Sequence, residues 1–124
     1  MALERPEIDF PEGQPPAYLD ITDITVGDGA EAAKGSTVSM HYVGVSFSTG
    51  EEFDASWNRG QTFDFTIGEG RVIKGWDMGI PGMKVGGRRK LVIPAHLAYG
   101  DRSPSPRIKA GETLIFVVDL VDVK

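Results

Sequence analysis

Side chains able to do chemistry are few in this chain, and most stand at spacings that fit no reaction. No cysteine occurs among the 124 residues, which removes thiol nucleophiles, disulfides and thiolate metal ligands. His41 and His96 fall on different predicted elements, and neither belongs to a metal-binding pair such as HExxH. No GxSxG segment marks a serine nucleophile. Gly68-Glu-Gly70 opens like a dinucleotide-binding loop, but Ile73 stands where the third glycine belongs. Gly70 and Gly75 have the spacing of a P-loop, yet Trp76 occupies the lysine position. These glycines suit tight turns and close helix–sheet contact better than a phosphate cradle.

Two features remain. Asp54 directly follows Phe53 and precedes a polar loop, Trp57-Asn-Arg-Gly60. A carboxylate there either initiates a turn by bonding its own backbone or places charge beside an apolar site. The second feature is Trp76, in the stretch Arg71 to Met83. Gly75 and Gly79 flank it, and Pro81-Gly82 stops the segment, which predicts one short helix. A short helix among strands buries little alone, so it must lie on the concave side of a sheet. Trp76 would then floor an apolar pocket. Tyr42, Phe53, Phe63, Phe65 and Phe116 are its candidate walls, although the same residues could be ordinary core.

The elements that must position these groups read as strands. Val38, Met40 and Tyr42 alternate with Ser39 and His41, and the run continues to a turn at Thr49-Gly50. Phe63, Phe65 and Ile67 share one face of the next strand. Leu91 and Ile93 alternate before Pro94. Leu19, Ile21, Ile24 and Val26 suggest a first strand with a bulge in its middle. Thr113 to Val123 is apolar on both faces, which marks a central strand. Ala95 to Glu112 is a long irregular loop. The fold class is α+β, a mainly antiparallel sheet curling around one short α-helix.

The length suits one domain. Pro6, Pro11, Pro15 and Pro16 make residues 1–17 an extended, mobile extension, with the folded domain at 18–124. Thirteen basic against eighteen acidic residues give a net charge of -5, which argues against nucleic-acid or anionic-membrane partners. The one basic cluster, Arg88-Arg89-Lys90, reads as an exposed strand face. An acidic N-terminus and the lack of a long apolar run predict a cytoplasmic location.

The order and spacing of these pieces resemble the FKBP family, the macrolide-binding peptidyl-prolyl isomerases. The matching stretches include Val38-Ser-Met-His-Tyr-Val-Gly44, Gly50-Glu-Glu-Phe-Asp-Ala-Ser56, Phe63-Asp-Phe-Thr-Ile-Gly68, Val72-Ile-Lys-Gly-Trp-Asp77, Gly82-Met-Lys-Val-Gly86, Ala98-Tyr-Gly100 and Thr113-Leu-Ile-Phe-Val-Val118. The resemblance spans the chain from about Tyr18 to Lys124. It implies a strongly curved antiparallel sheet wrapped around one helix, and it assigns roles. Phe53, Asp54, Trp76 and Tyr99 would be catalytic. Tyr42, Phe63, Val72, Ile73, Ile108 and Phe116 would bind the ligand, with Val72 and Ile73 offering backbone groups and Tyr99 its hydroxyl. Asp54 would orient neighbouring groups, Tyr99 and Arg59 among them, or act electrostatically near the twisted amide. The implied partners are Xaa-Pro peptides and proteins and rapamycin- or tacrolimus-type macrolides, with no cofactor or metal, for a monomeric protein. A non-catalytic binding module using the same pocket is the alternative. The loop over the pocket, Arg102-Ser-Pro-Ser-Pro-Arg-Ile-Lys109, is more basic and more proline-rich than the family pattern. Pro104 and Arg107 stand where a histidine and an aliphatic residue are common, and Arg71 separately stands where an acidic or polar residue is common.

Overall fold

The computed structural model describes residues 4–9, 11 and 13–124. Among these, six strands form one open antiparallel sheet. They are β1 (Asp20–Thr25), β2 (Thr37–Ser46), β3 (Glu52–Ala55), β4 (Phe63–Thr66), β5 (Arg88–Ile93) and β6 (Leu114–Val123). The spatial order is β1-β5-β6-β2-β3, with β4 also on β2. The single α-helix among the described residues, α1 (Lys74–Gly79), packs on one face. This is the α+β arrangement that the sequence predicts.

The two-faced hydrophobicity of β6 follows from its place between β5 and β2, buried from Leu114 to Leu120. Leu114, Phe116, Val118 and Leu120 join the main core under α1. Ile115 turns the other way, onto Val45 and Val92. The bulge expected in β1 is present as a register shift between Asp23 and Thr25. β1 is an edge strand, and Ile21 and Ile24 are exposed there.

β2 changes partner halfway along. Thr37 to Met40 pair with β4, and Val43 to Val45 pair with β3. A 3-10 helical turn, Ser56–Arg59, follows β3 and packs on β2. Tyr42 sits where neither strand is opposite it, and this break in the ladder helps to shape the site.

The run Arg88-Arg89-Lys90 is not a simple exposed face. Arg88 pairs with the buried Asp119 at 2.7 Å. Arg89 is 9% exposed. It pairs with Asp23 at 2.7 Å and donates to the carbonyls of Gly79 at 2.7 Å and Pro81 at 3.2 Å. A helix end leaves carbonyls without partners, and a cation suits that negative pole. Periodicity could not reveal the tie because its acceptors are backbone atoms. Arg89 therefore fastens β1, β5 and α1 together. On the opposite face, Ile8 packs with Val45, Val92, Ile115 and Phe47. Pro6 is buried, and Arg5 pairs with Glu52 and Asn58.

α1 lies close to β5 because its contact positions are glycines. A Cβ on Gly75 would fall 2.5 Å from Ile93 Cγ2, and one on Gly79 would fall 2.8 Å from Leu91 Cδ2. Gly75→Ala is expected to destabilise the fold by about 1–2 kcal/mol, overpacking outweighing the better helix propensity. Adding Ile93→Val should recover part of the loss. Urea midpoints of the single and double variants check this, and an unchanged midpoint for Gly75→Ala would contradict the close packing.

Candidate active site

Under α1, between the sheet and the long loop, is a cavity of about 190 Å³. That exceeds several water volumes of ~30 Å³ and is below the ~300–1,000 Å³ of drug-sized sites. It suits one ring and its immediate neighbours. β2 and β6 supply Tyr42 and Phe116, β3 supplies Phe53 and Asp54, and β4 supplies Phe63. The entry to α1 supplies Arg71, Val72 and Ile73, the helix itself Trp76, and the long loop Tyr99. Of the site residues that the family resemblance implies, only Ile108 is missing from the lining, and of the candidate walls Phe65 is missing as well. Ile108 is 4% exposed and packs into the core.

Trp76 is 4% exposed and ringed by aromatics. Tyr42, Phe116 and Phe63 meet it edge-to-face with ring centroids at 5.1, 5.2 and 6.0 Å. Such geometry lets the positive ring edge meet the negative ring face. Phe65 is buried against Trp76 at 5.7 Å without lining the cavity. Phe53 meets Phe116 at 5.5 Å and 88°. Gly44 makes room for that contact, since a Cβ there would fall 2.6 Å from Phe53 and 2.7 Å from Phe116.

Asp54 is the one carboxylate in the lining. Tyr42 Oη donates to its Oδ2 at 2.5 Å, and Arg59 Nη1 donates to its Oδ1 at 2.8 Å. Arg59 Nη2 also donates to Tyr42 Oη at 2.9 Å. The Ala55 N–H donates to Asp54 Oδ1 at 2.9 Å, so the local turn role and the site role coexist. Burial pushes the Asp54 carboxyl up, but the bonds from Tyr42 and Arg59 outweigh it and hold it below its ordinary range. Burial, and then the nearby Asp54 charge, push the Tyr99 hydroxyl up. The Arg59 pairing is the one expected from the sequence, while the second side-chain bond to Asp54 comes from Tyr42 and not from Tyr99. The Ile73 carbonyl closes the first turn of α1 by accepting from the Trp76 N–H at 3.0 Å.

Comparison with known proteins decides the family. A family model described as FKBP-type peptidyl-prolyl cis-trans isomerase matches residues 29–121. The chain belongs to the FKBP family. An FK506-binding protein from Streptomyces anulatus is 66% identical over 99% of this chain and 100% of that one. A probable FK506-binding protein from Corynebacterium glutamicum is 53% identical over 96% of this chain and 98% of its own. The crystal structure of AtFKBP13 superposes with a TM-score of 0.80 at 42% identity, covering 89% of this chain and 96% of that one.

Three supporting residues of this FKBP-type chain escape sequence reasoning. Ser56 is fully buried, and its Oγ accepts from the Tyr42 N–H at 2.7 Å where the β2 ladder breaks. His41, stacked on Trp57, bonds the same hydroxyl through Nδ1 at 2.8 Å. Asp77 accepts from the N–H groups of Gly68 at 2.8 Å and Gly70 at 3.2 Å. An internal carboxylate thus fills the place a phosphate would take in that glycine turn. Arg71, marked in the sequence only as a departure, lines the cavity. The fold break at Tyr42 is the one signal for Ser56, and it exists only in three dimensions.

Replacing Tyr42 by Phe removes one donor from Asp54, so the carboxyl pKa is expected to rise toward the ordinary value of about 3.9. Because the folded-state value is depressed, Asp54 contributes stability that is complete above the unfolded value. That contribution disappears as pH falls through the lower folded value. The stability gap between wild type and Tyr42→Phe should therefore narrow in acid. Carboxyl-carbon NMR titration measures the shift, and an unmoved Asp54 titration would contradict the network.

Proposed function

We propose that this protein is a peptidyl-prolyl cis-trans isomerase that turns Xaa-Pro bonds within the Trp76-floored cavity, residues 18–124 forming the catalytic unit. The observation that carries this reading is an apolar, ring-sized cavity whose one carboxylate is already engaged by Tyr42 and Arg59. A site for proton abstraction needs a base within reach of its substrate and free to accept. Bond rotation needs neither.

Rotation about an Xaa-Pro bond faces a barrier of about 18–20 kcal/mol because it breaks amide resonance. Unaided, it takes tens to hundreds of seconds. In the twisted amide the carbonyl oxygen carries less negative charge than in the planar one. Water solvates the planar amide well, and aromatic walls do not. A dry cavity therefore penalises the ground state more than the transition state. Trp76, Tyr42 and Phe116 hold the pyrrolidine ring, while Phe53 and Phe63 shape the residue before it. An apolar residue before proline is preferred on that account. Tyr99, protonated at neutral pH, donates to the substrate carbonyl, and the Ile73 N–H supports the flanking backbone. Ionised Asp54 fixes Tyr42 and Arg59 and does not act as a base. No cofactor and no second copy enters the reaction.

The relatives' printed names, FK506-binding protein, support a second property. Macrolides of the tacrolimus or rapamycin type should occupy the same cavity. At one hundred times Kd they should add about 2.7 kcal/mol of stability. A thermal-shift measurement at saturating macrolide should show a rise of several degrees. An unmoved melting temperature would mean a blocked cavity.

A protease-coupled assay on a Leu-Pro peptide tests the activity itself. Wild type should accelerate the slow phase. The double variant Phe53→Ala, Asp54→Ala should lose at least about tenfold in kcat/KM, the equivalent of ~1.4 kcal/mol. Peptide binding with no acceleration by wild type would favour a binding module.

A further inference from the structure

Resting on the isomerase reading, we propose that Arg71 and Arg107 make the cavity rim select Xaa-Pro segments flanked by acidic residues. The chain as a whole carries a net charge of -5, so overall attraction does not bring acidic peptides to it. Two cations are placed locally, Arg71 in the cavity lining and Arg107 against the carbonyl of Glu52, the residue before Phe53.

Arg71 lines the cavity beside Val72 and Ile73. Its partner is Glu69, two residues away at 3.0 Å, and both side chains are exposed, at 66% and 50%. An exposed pair of this kind is weak and screened, so a substrate carboxylate can compete for the guanidinium. Arg107 belongs to the loop that leaves Tyr99 for β6. Its backbone is anchored, since its carbonyl accepts from the buried Ser46 hydroxyl at 2.7 Å and the next residue, Ile108, is sunk in the core. Its Nη1 donates to the Glu52 carbonyl at 3.1 Å, beside the Phe53 and Asp54 wall.

Glu69 offsets Arg71 only through that exposed, screened pair, and two other acidic groups nearby are already paired with other cations. Glu52 turns its carboxylate to Arg5 and Asn58. Asp54 is held by Tyr42 and Arg59. Glu112 is 8% exposed and accepts from the Ser48 N–H and hydroxyl. In the loop itself, three cations, Arg102, Arg107 and Lys109, stand against two acids, Asp101 and Glu112. Guanidinium keeps several N–H donors after bonding one carbonyl, in a fork that fits a carboxylate. With the proline ring and the apolar residue in the cavity, the residues flanking them are the ones that reach the rim.

Peptides sharing one Leu-Pro bond, with Glu, Gln or Lys on either side of it, test the proposal by two-dimensional exchange NMR. This readout needs no coupling protease with preferences of its own. The expected order of kcat/KM is Glu, then Gln, then Lys, with a Glu-to-Gln ratio of about threefold or more at low salt. The ratio should shrink toward one as added salt shortens the screening length from about 10 Å at 0.1 M to about 3 Å at 1 M. The double variant Arg71→Gln, Arg107→Gln should bring the ratio to about one at low salt, a readout that a purely structural role for the arginines would leave unmoved. Equal turnover of the Glu and Gln peptides by wild type would overturn the selectivity and leave the isomerase reading intact. A ratio that survives in the double variant would overturn the assignment to these arginines. Absence of turnover for every peptide would overturn both.

Discussion

Trp76 can floor the cavity only because α1 lies directly against the side chains of β5. Glycine at positions 75 and 79 leaves no Cβ between the helix and Ile93 or Leu91. The helix is six residues long, too short to be stable from its own hydrogen bonds. Its place comes from this contact and from Arg89, which meets its last carbonyls while paired with Asp23. Asp77 ties the preceding glycine turn to the same helix. The strand aromatics then converge on an indole held fixed from behind by Phe65.

The charged groups of the site stand at the margin of that aromatic shell, and each in the Asp54 cluster has a partner, whereas the buried Trp76 indole N–H at its floor has none among the described residues. Tyr42 belongs to both parts: its ring is a wall, its hydroxyl serves Asp54, and its backbone is held by Ser56. The partner change along β2 makes this possible, because an unbroken ladder would have left no opening for the Ser56 hydroxyl. A cavity with aromatic walls and an engaged carboxylate is poor equipment for covalent chemistry. It is good equipment for a reaction in which only a torsion changes.

Much of this was legible in the residues. The alternation at Val38, Met40 and Tyr42, the two-faced run of β6, the bulge in β1 and the helix stop at Pro81-Gly82 each have a local cause, and each appears in the fold. The aromatics stayed ambiguous between core and site, because hydrophobicity alone cannot distinguish a wall from a filling. The motif resemblance supplied that distinction. Arg89 shows the limit most clearly. In sequence it is one cation in a basic run, while in the fold it is buried by contacts with backbone carbonyls that leave no trace in side-chain pattern. Ile108 shows another limit. A residue expected in the lining is drawn into the core, where it anchors the loop instead.

The central claim is that the proline ring enters the cavity against Trp76 and turns there. Isotope-filtered NOE spectroscopy on the protein with a labelled Leu-Pro peptide tests it most directly. The account predicts NOEs from the proline ring protons to the Trp76 indole, Tyr42 and Phe116, together with cis–trans exchange peaks that appear on the same timescale only when protein is present. Accelerated exchange with no contact to those rings, or proline contacts confined to another surface, would contradict it.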